Sequence, residues 1–156
     1  MQNPLHKDLD YILDHTRNIW EDLRAQRILV TGGAGFFGCW LLESFLWANE
    51  KLELGASAIV LTRNPESFRK KAPHLATASS VGLHEGYIRD FDFPKGHFSH
   101  IIHAATEASA GLNDPNPLLM FDTIVQGPRR TLGFAVHCGA KRSLDKERGP
   151  LGSVKP

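Results

Sequence analysis

Apolar and polar positions alternate along the chain in short blocks that each fit one secondary-structure period. In DLDYILDHTRNIWEDLRAQ, residues 8–26, Leu9, Ile12, Leu13, Thr16, Ile19, Trp20 and Leu23 recur at helical spacing with charges between them. That pattern predicts an amphipathic helix. RILVT, 27–31, is a short apolar run and predicts a buried strand. From Phe36 to about Asn49 the sequence is apolar nearly all round, which predicts a helix covered on several sides. ASAIVLT, ending at Thr62, predicts a second buried strand. NPESFRKKAP predicts a short helix with Pro65 in its first turn, where a missing N–H does no harm. VGLHEGYI predicts a third, weaker strand, and SHIIHAAT a fourth that ends at Thr106. GLNDPNP has loop composition, and a last helix is expected from about Leu118 to Cys138 despite Pro128 and Gly133 inside it.

Strands alternating with helices, each strand apolar on both faces, imply an α/β fold: a parallel sheet covered by helices on both sides. The organisation expected is an N-terminal amphipathic helix over 1–25, one sheet domain over 26–142 with about four strands, and a polar, irregular tail over 143–156. In that tail Asp145, Lys146, Glu147 and Arg148 follow one another. A central strand made of them would desolvate several charges. Without a fifth strand, HIIHAA becomes an exposed sheet edge, a template for self-association.

Composition narrows the classes. The 156 residues carry a formal net charge of +1, which argues against a nucleic-acid surface. Cys39 and Cys138 are the two cysteines and form no Cys-x-x-Cys pair, as expected of a reduced, cytoplasmic protein. The N-terminus MQNPLHKDLD is charged and reads as no signal peptide, and the longest apolar run is too short and too interrupted to span a bilayer.

The candidate chemistry lies between the first strand and the second helix. VTGGAGFFGCW places four glycines in the seven residues from Gly32 to Gly38. A plain strand–helix turn needs one. In a strand–turn–helix context Gly32 allows the tight turn, Gly35 lets the backbone approach a pyrophosphate, and Gly38 lets the helix pack closely. The anion then rests on the helix N-terminus. A Walker phosphate loop is excluded, because Cys39 and Trp40 stand where Lys and Ser/Thr are required. His97, His100 and His103 do not read as a metal site: on a strand, His100 and His103 point to opposite faces. Cys39 lies near a helix N-terminus, which can activate a thiol, but a packing role fits its apolar surroundings better. Glu107 and Asp114 read as ordinary loop acids.

Four elements in order carry a resemblance. ILVTGGAGFFG resembles the Thr-Gly-x-x-Gly-x-x-Gly signature of extended short-chain dehydrogenases/reductases, the NAD-dependent epimerase/dehydratase family. EGYIRDFDFP is similar to that family's Gly-Asp-Ile-Arg-Asp element. HIIHAATEAS is similar to its fourth strand, and DTIVQGPRRTLGFAVHCGAKR to the helix that follows. The leading helix resembles that of members acting on nucleotide sugars. The resemblance covers about residues 8–142 and implies a Rossmann-type sheet. It puts NAD or NADP against Gly32, Gly35, Phe36, Phe37, Arg63, Ile88, Ala104, Ala105 and Thr106. Arg63 stands where an NAD site usually offers an acid to the ribose; its guanidinium suits a 2′-phosphate and so favours NADP, or else stacks on the adenine.

The chain also departs from the family pattern. The adenine-contacting aspartate falls on Tyr87. The helix threonine falls on Pro128, which removes an internal hydrogen bond. The catalytic Ser/Thr and the Tyr-x-x-x-Lys pair have no counterpart: Tyr11 and Tyr87 are followed four residues on by His15 and Phe91. No catalytic residue is therefore assigned. The resemblance implies a cofactor-binding portion whose nucleotide-sugar substrate needs residues from elsewhere; a non-catalytic dinucleotide-binding module or a non-functional fragment are the alternatives.

Overall fold

The computed structural model describes residues 3–105, 117–145 and 149–153. Its elements are α1 (His6–Glu21), β1 (Arg27–Thr31), α2 (Phe36–Lys51), β2 (Ser57–Thr62), α3 (Pro65–Lys71), α4 (Pro73–Ala76), β3 (Val81–Glu85), β4 (His100–His103), α5 (Pro117–Cys138), β5 (Arg142–Asp145) and β6 (Gly149–Ser153). The strands form one sheet in the order β3-β2-β1-β4-β5-β6. Five are parallel, and β6 runs antiparallel to β5. Helices lie on both faces, which makes the fold a Rossmann-type α/β sheet.

Local sequence explains the elements. Asn64 caps α3 by accepting a 2.9 Å hydrogen bond from the Ser67 N–H, and Pro65 follows at the first helical position. Ile28, Val30, Ala58 and Val60 of β1 and β2 pack with Leu42, Phe45 and Ala48 of α2 in one core cluster. On the opposite face Leu29, Leu61 and Ile101 pack with Phe91, Phe98 and Phe134. Each strand thus feeds both layers, the reason its sequence is apolar at successive positions. α1 lies against α2; Leu9 and Leu13 are buried, and the Trp47 indole N–H on α2 donates to Asp10 Oδ1 at 2.9 Å.

Two expectations are corrected. The sheet has six strands rather than about four, and the described residues of the expected tail, 143–145 and 149–153, are strands: β5 closes on β4 with His100↔Arg142 and Ile102↔Leu144 in register, and β6 closes on β5. β4 is therefore an interior strand and offers no edge for self-association; Ile101 is 1% exposed. The physical reason is that β5 is short and only one of its faces is closed. Ser143 is buried opposite Ile101, while Leu144 remains 40% exposed and Arg142 reaches out to Asp22 at 3.6 Å. A strand can carry charges beside the core when they project past it. The last helix continues through Pro128 as a single element.

Candidate functional site: the glycine turn

β1 ends at Thr31, in the middle of the sheet, and the chain turns at once into α2. Gly32 sits at φ +71°, a conformation other residues adopt only with strain. A Cβ there would lie 2.5 Å from the Ala104 carbonyl carbon and oxygen and from the Ala105 nitrogen. The turn and the end of β4 are thus in direct backbone contact. Gly38 is equally constrained: its Cβ would lie 2.5 Å from the Gly33 Cα and closer still to the Gly32 carbonyl oxygen. Gly33, to which sequence reasoning gave no role, faces β2; a Cβ would meet Val60 Cγ1 at 2.5 Å.

Gly35 differs from these three. It is the N-cap of α2, at φ −77° and ψ 173°, where any residue fits. It is exposed, and a Cβ would touch one neighbour, the Gly32 carbonyl oxygen, at 3.2 Å. Its N–H donates to that same oxygen at 3.0 Å, closing the turn. No side chain caps α2 here. The first-turn N–H groups and the positive end of the helix dipole therefore face an open surface, the arrangement that binds anions.

The other predicted cofactor contacts fall around this turn to different degrees. Phe36 and Phe37 begin α2 with exposed side chains, 73% and 62%, packed edge to face at 5.5 Å. Ala104 and Ala105 border Gly32 directly. Arg63 comes directly after Thr62, the last residue of β2, the strand beside β1. Ile88 lies beyond β3, where its side chain would be 3.2 Å from a Cβ on Gly127 of α5. Tyr87 is exposed beside it. Thr106, Glu107 and Asp114 lie outside the described residues.

A buried polar cluster holds the turn to β4. Thr31 Oγ1 and His103 Nδ1 are 2.8 Å apart, and the Ala105 N–H donates to Thr31 Oγ1 at 3.3 Å. Thr131 on α5 adds a hydroxyl 3.4 Å from the same imidazole nitrogen and donates to the Gly127 carbonyl at 2.9 Å. The family threonine expected at Pro128 is thus absent, and a hydroxyl three residues on touches the strand end instead. His97 and His100 go elsewhere, His97 to the Cys138 carbonyl at 3.0 Å and His100 to the Ser99 hydroxyl at 2.8 Å. Among the described residues no cluster of His, Cys, Asp and Glu could hold a metal. Burial pushes the Cys39 thiol up, with the Lys71 charge opposing, so it is not an activated nucleophile. Tyr11 packs against His15 on α1, ring centroids 4.2 Å apart. No helix among the described residues is long and apolar enough to cross a membrane.

This geometry defines a dinucleotide-binding class of Rossmann-type domain: a glycine turn at the carboxyl end of β1, beneath a helix N-terminus, in the middle of a 3-2-1-4-5 sheet. The chain belongs to the NAD dependent epimerase/dehydratase family, whose model matches residues 28–145. No curated protein matches its sequence. Similar solved structures include DesIV, a dTDP-glucose 4,6-dehydratase from Streptomyces venezuelae with NAD and TYD bound, at 27% identity and TM-score 0.60, covering 76% of this chain and 38% of that one. WbmF from Bordetella bronchiseptica, in complex with NADH, is 21% identical with TM-score 0.62 over 80% of this chain and 36% of its own. Pen from Bacillus thuringiensis is 18% identical with TM-score 0.66 over 79% and 38%. The chain thus spans less than two-fifths of the length of these three relatives.

Proposed function

We propose that this chain is the NAD(P)-binding portion of a nucleotide-sugar epimerase/dehydratase-like protein, catalytically incomplete by itself. The observation that carries the reading is the exposed Gly35 at the uncapped N-terminus of α2. Packing fills the space at 32, 33 and 38, whereas at 35 a Cβ would meet the Gly32 carbonyl oxygen at 3.2 Å and no other atom within 4 Å. A pyrophosphate that must reach the backbone accounts for the glycine there. The NAD and NADH in two similar structures support the same ligand class. Gly32, Gly35, Phe36, Phe37, Gly38, Arg63, Ile88, Ala104, Ala105 and Thr106 are the contacts of this reading.

A sugar oxidation step needs a base for the hydroxyl proton as the hydride leaves. Neither tyrosine stands four residues before a lysine. A nucleotide sugar is therefore turned over only where the remaining residues come from another segment or chain. The two half-buried free thiols fit a reduced, cytoplasmic setting. A second copy has β3 and β6 as sheet edges to meet, since β5 occupies the edge of β4. The test pairs two assays. Calorimetry with NAD+ and NADP+ is expected to show binding of at least one. Spectrophotometry at 340 nm with nucleotide sugars is expected to show no reduction of either. Absence of binding rejects the cofactor site; turnover abolished by a substitution in this chain rejects its incompleteness.

A further inference from the structure

The carbonyls of the glycine turn are taken up one by one. The Gly32 oxygen accepts the Gly35 N–H at 3.0 Å, and the Gly35 oxygen accepts the Cys39 N–H at 2.9 Å. Between them the Gly33 oxygen accepts from Cys39 Sγ at 3.5 Å, and the Ala34 oxygen accepts from Lys71 Nζ at 2.5 Å. Four successive carbonyls are thus each held by a donor of the protein itself. The N–H side is the reverse. Among the described residues, the N–H groups of Gly33, Ala34, Phe36 and Gly38 donate to no backbone carbonyl. Main-chain N–H groups without acceptors, at a helix N-terminus, form a concavity for an anion.

Three of these four ties are local, made by residues of the turn and of the first turn of α2. The tie from Lys71 is not: it comes from the last residue of α3, 37 positions away in sequence. α3 is itself anchored, since Phe68 is 1% exposed and packs in one core cluster with Leu42 and Val60. Its lysine therefore reaches the turn from a fixed base. The peptide it holds, Ala34–Gly35, is the one with the most freedom to rotate, because glycine at 35 has no Cβ to restrict φ. Rotation of that plane would take the Gly35 N–H off the Gly32 oxygen and swing the Ala34 oxygen to a new direction. A charge-assisted hydrogen bond from an ammonium opposes it more strongly than a neutral donor would.

We propose that Lys71 is a positioning residue: by holding the Ala34 carbonyl oxygen it locks the Ala34–Gly35 peptide and keeps the turn in the form that receives a dinucleotide pyrophosphate. This rests on the dinucleotide reading of the glycine turn. The ammonium is spent on the carbonyl and touches no part of the ligand. Its contribution is preorganisation, which lowers the cost of ordering the turn on binding. NAD and NADP carry the same pyrophosphate, so both gain equally.

The test takes two measurements on the full chain, for the wild type, Lys71→Ala and Lys71→Arg, with circular dichroism to check that each is folded. Amide hydrogen exchange of Gly35, followed by NMR without ligand, reads the peptide plane. Calorimetric titration with NAD+ and with NADP+ reads binding. Lys71→Ala is expected to speed Gly35 exchange and to weaken both ligands by the same factor, each about fivefold, as loss of one hydrogen bond does. Lys71→Arg keeps a charged donor and is expected to restore both readouts. Weakening of NADP+ alone overturns the inference, because Lys71 then contacts the extra phosphate. Equal weakening with unchanged Gly35 exchange overturns it too, because the charge then acts on the ligand and not through the turn. Unchanged affinities in Lys71→Ala, with a wild type that binds, overturn it while leaving the cofactor site standing. Binding of neither ligand by the wild type removes the site and the inference together.

Discussion

The two halves of the sheet are built to different standards. In β3-β2-β1, strands of five and six residues pair over their full length, and Leu29, Val30, Ala58 and Val60 are completely enclosed. In β4-β5-β6 the strands have four or five residues, and β6 pairs with β5 through a register shift. There Leu144 is exposed, and Ser143 Oγ is buried with no hydrogen-bond partner among the described residues. On the α2 face of this second half an apolar groove of about 970 Å³ opens between α1, α2 and the sheet, lined by Ile19, Phe37, Trp40, Ile102 and Leu144. The difference shows where the constraint lies. The half that carries the turn needs backbone positions fixed to a fraction of an ångström, because Gly32 and Ala104 touch main chain to main chain. The other half needs only to cover β4.

The largest effect is expected at the seam between the halves. Gly32→Ala forces a side chain into a left-handed conformation and into the Ala104 carbonyl, so it is expected to cost more than about 3 kcal/mol of stability. Leu144→Ser, in the loosely covered half, is expected to cost less than about 1 kcal/mol. Urea denaturation measures both. Similar costs at the two sites would erase the contrast.

A smaller effect is expected from the polar cluster that ties the halves together. Thr31→Val keeps shape but deprives the His103 imidazole and the Ala105 N–H of their shared hydroxyl. With the Thr131 hydroxyl still 3.4 Å from the same nitrogen, the loss is that of about one hydrogen bond, about 1 kcal/mol. Hydrogen exchange is expected to show the loss first at Ala104 and Ala105. Unchanged protection there would mean the cluster is incidental.

The smallest effect concerns pH and falls on the second half. Burial, helped by Arg142 and Lys141 and opposed by Asp22, holds the His100 pKa below its ordinary 6.5. The folded state therefore disfavours the protonated imidazole. The contribution is constant above about pH 6.5 and is lost as pH falls through the range between the unfolded and folded values. Between about pH 7.5 and pH 5.5 the wild type is expected to lose more stability than His100→Asn, by urea midpoint. A parallel pH dependence for both proteins would remove His100 from the account.

How much of this was legible in the sequence follows the same division. The glycine turn was legible because its constraint is written in residue types that cost entropy and are spent only where a backbone demands them. The order of strands and helices was legible because each strand is apolar on both faces. β5 and β6 were not, because a four-residue strand with one exposed leucine has no periodicity to read, and its charged neighbours argue against it. The Thr31–His103–Thr131 cluster joins residues 72 and 28 positions apart, and local pattern carries no signal at that range. Lys71 was hidden for another reason: a run of basic residues at a helix end looks the same whether or not one of them reaches back to a turn. Gly33 sat inside the motif, yet its packing against Val60 depends on how close β2 lies.

The account stands most directly on Gly35. If its glycine is kept for a ligand rather than for the fold, Gly35→Ala leaves the urea midpoint within about 1 kcal/mol of wild type, since φ −77° suits alanine and the new methyl meets one carbonyl oxygen at 3.2 Å. The same substitution is then expected to weaken calorimetric binding of the preferred dinucleotide at least about tenfold, because the methyl group holds the pyrophosphate away from the backbone N–H groups of α2. Unchanged affinity in a stably folded Gly35→Ala protein would contradict the account.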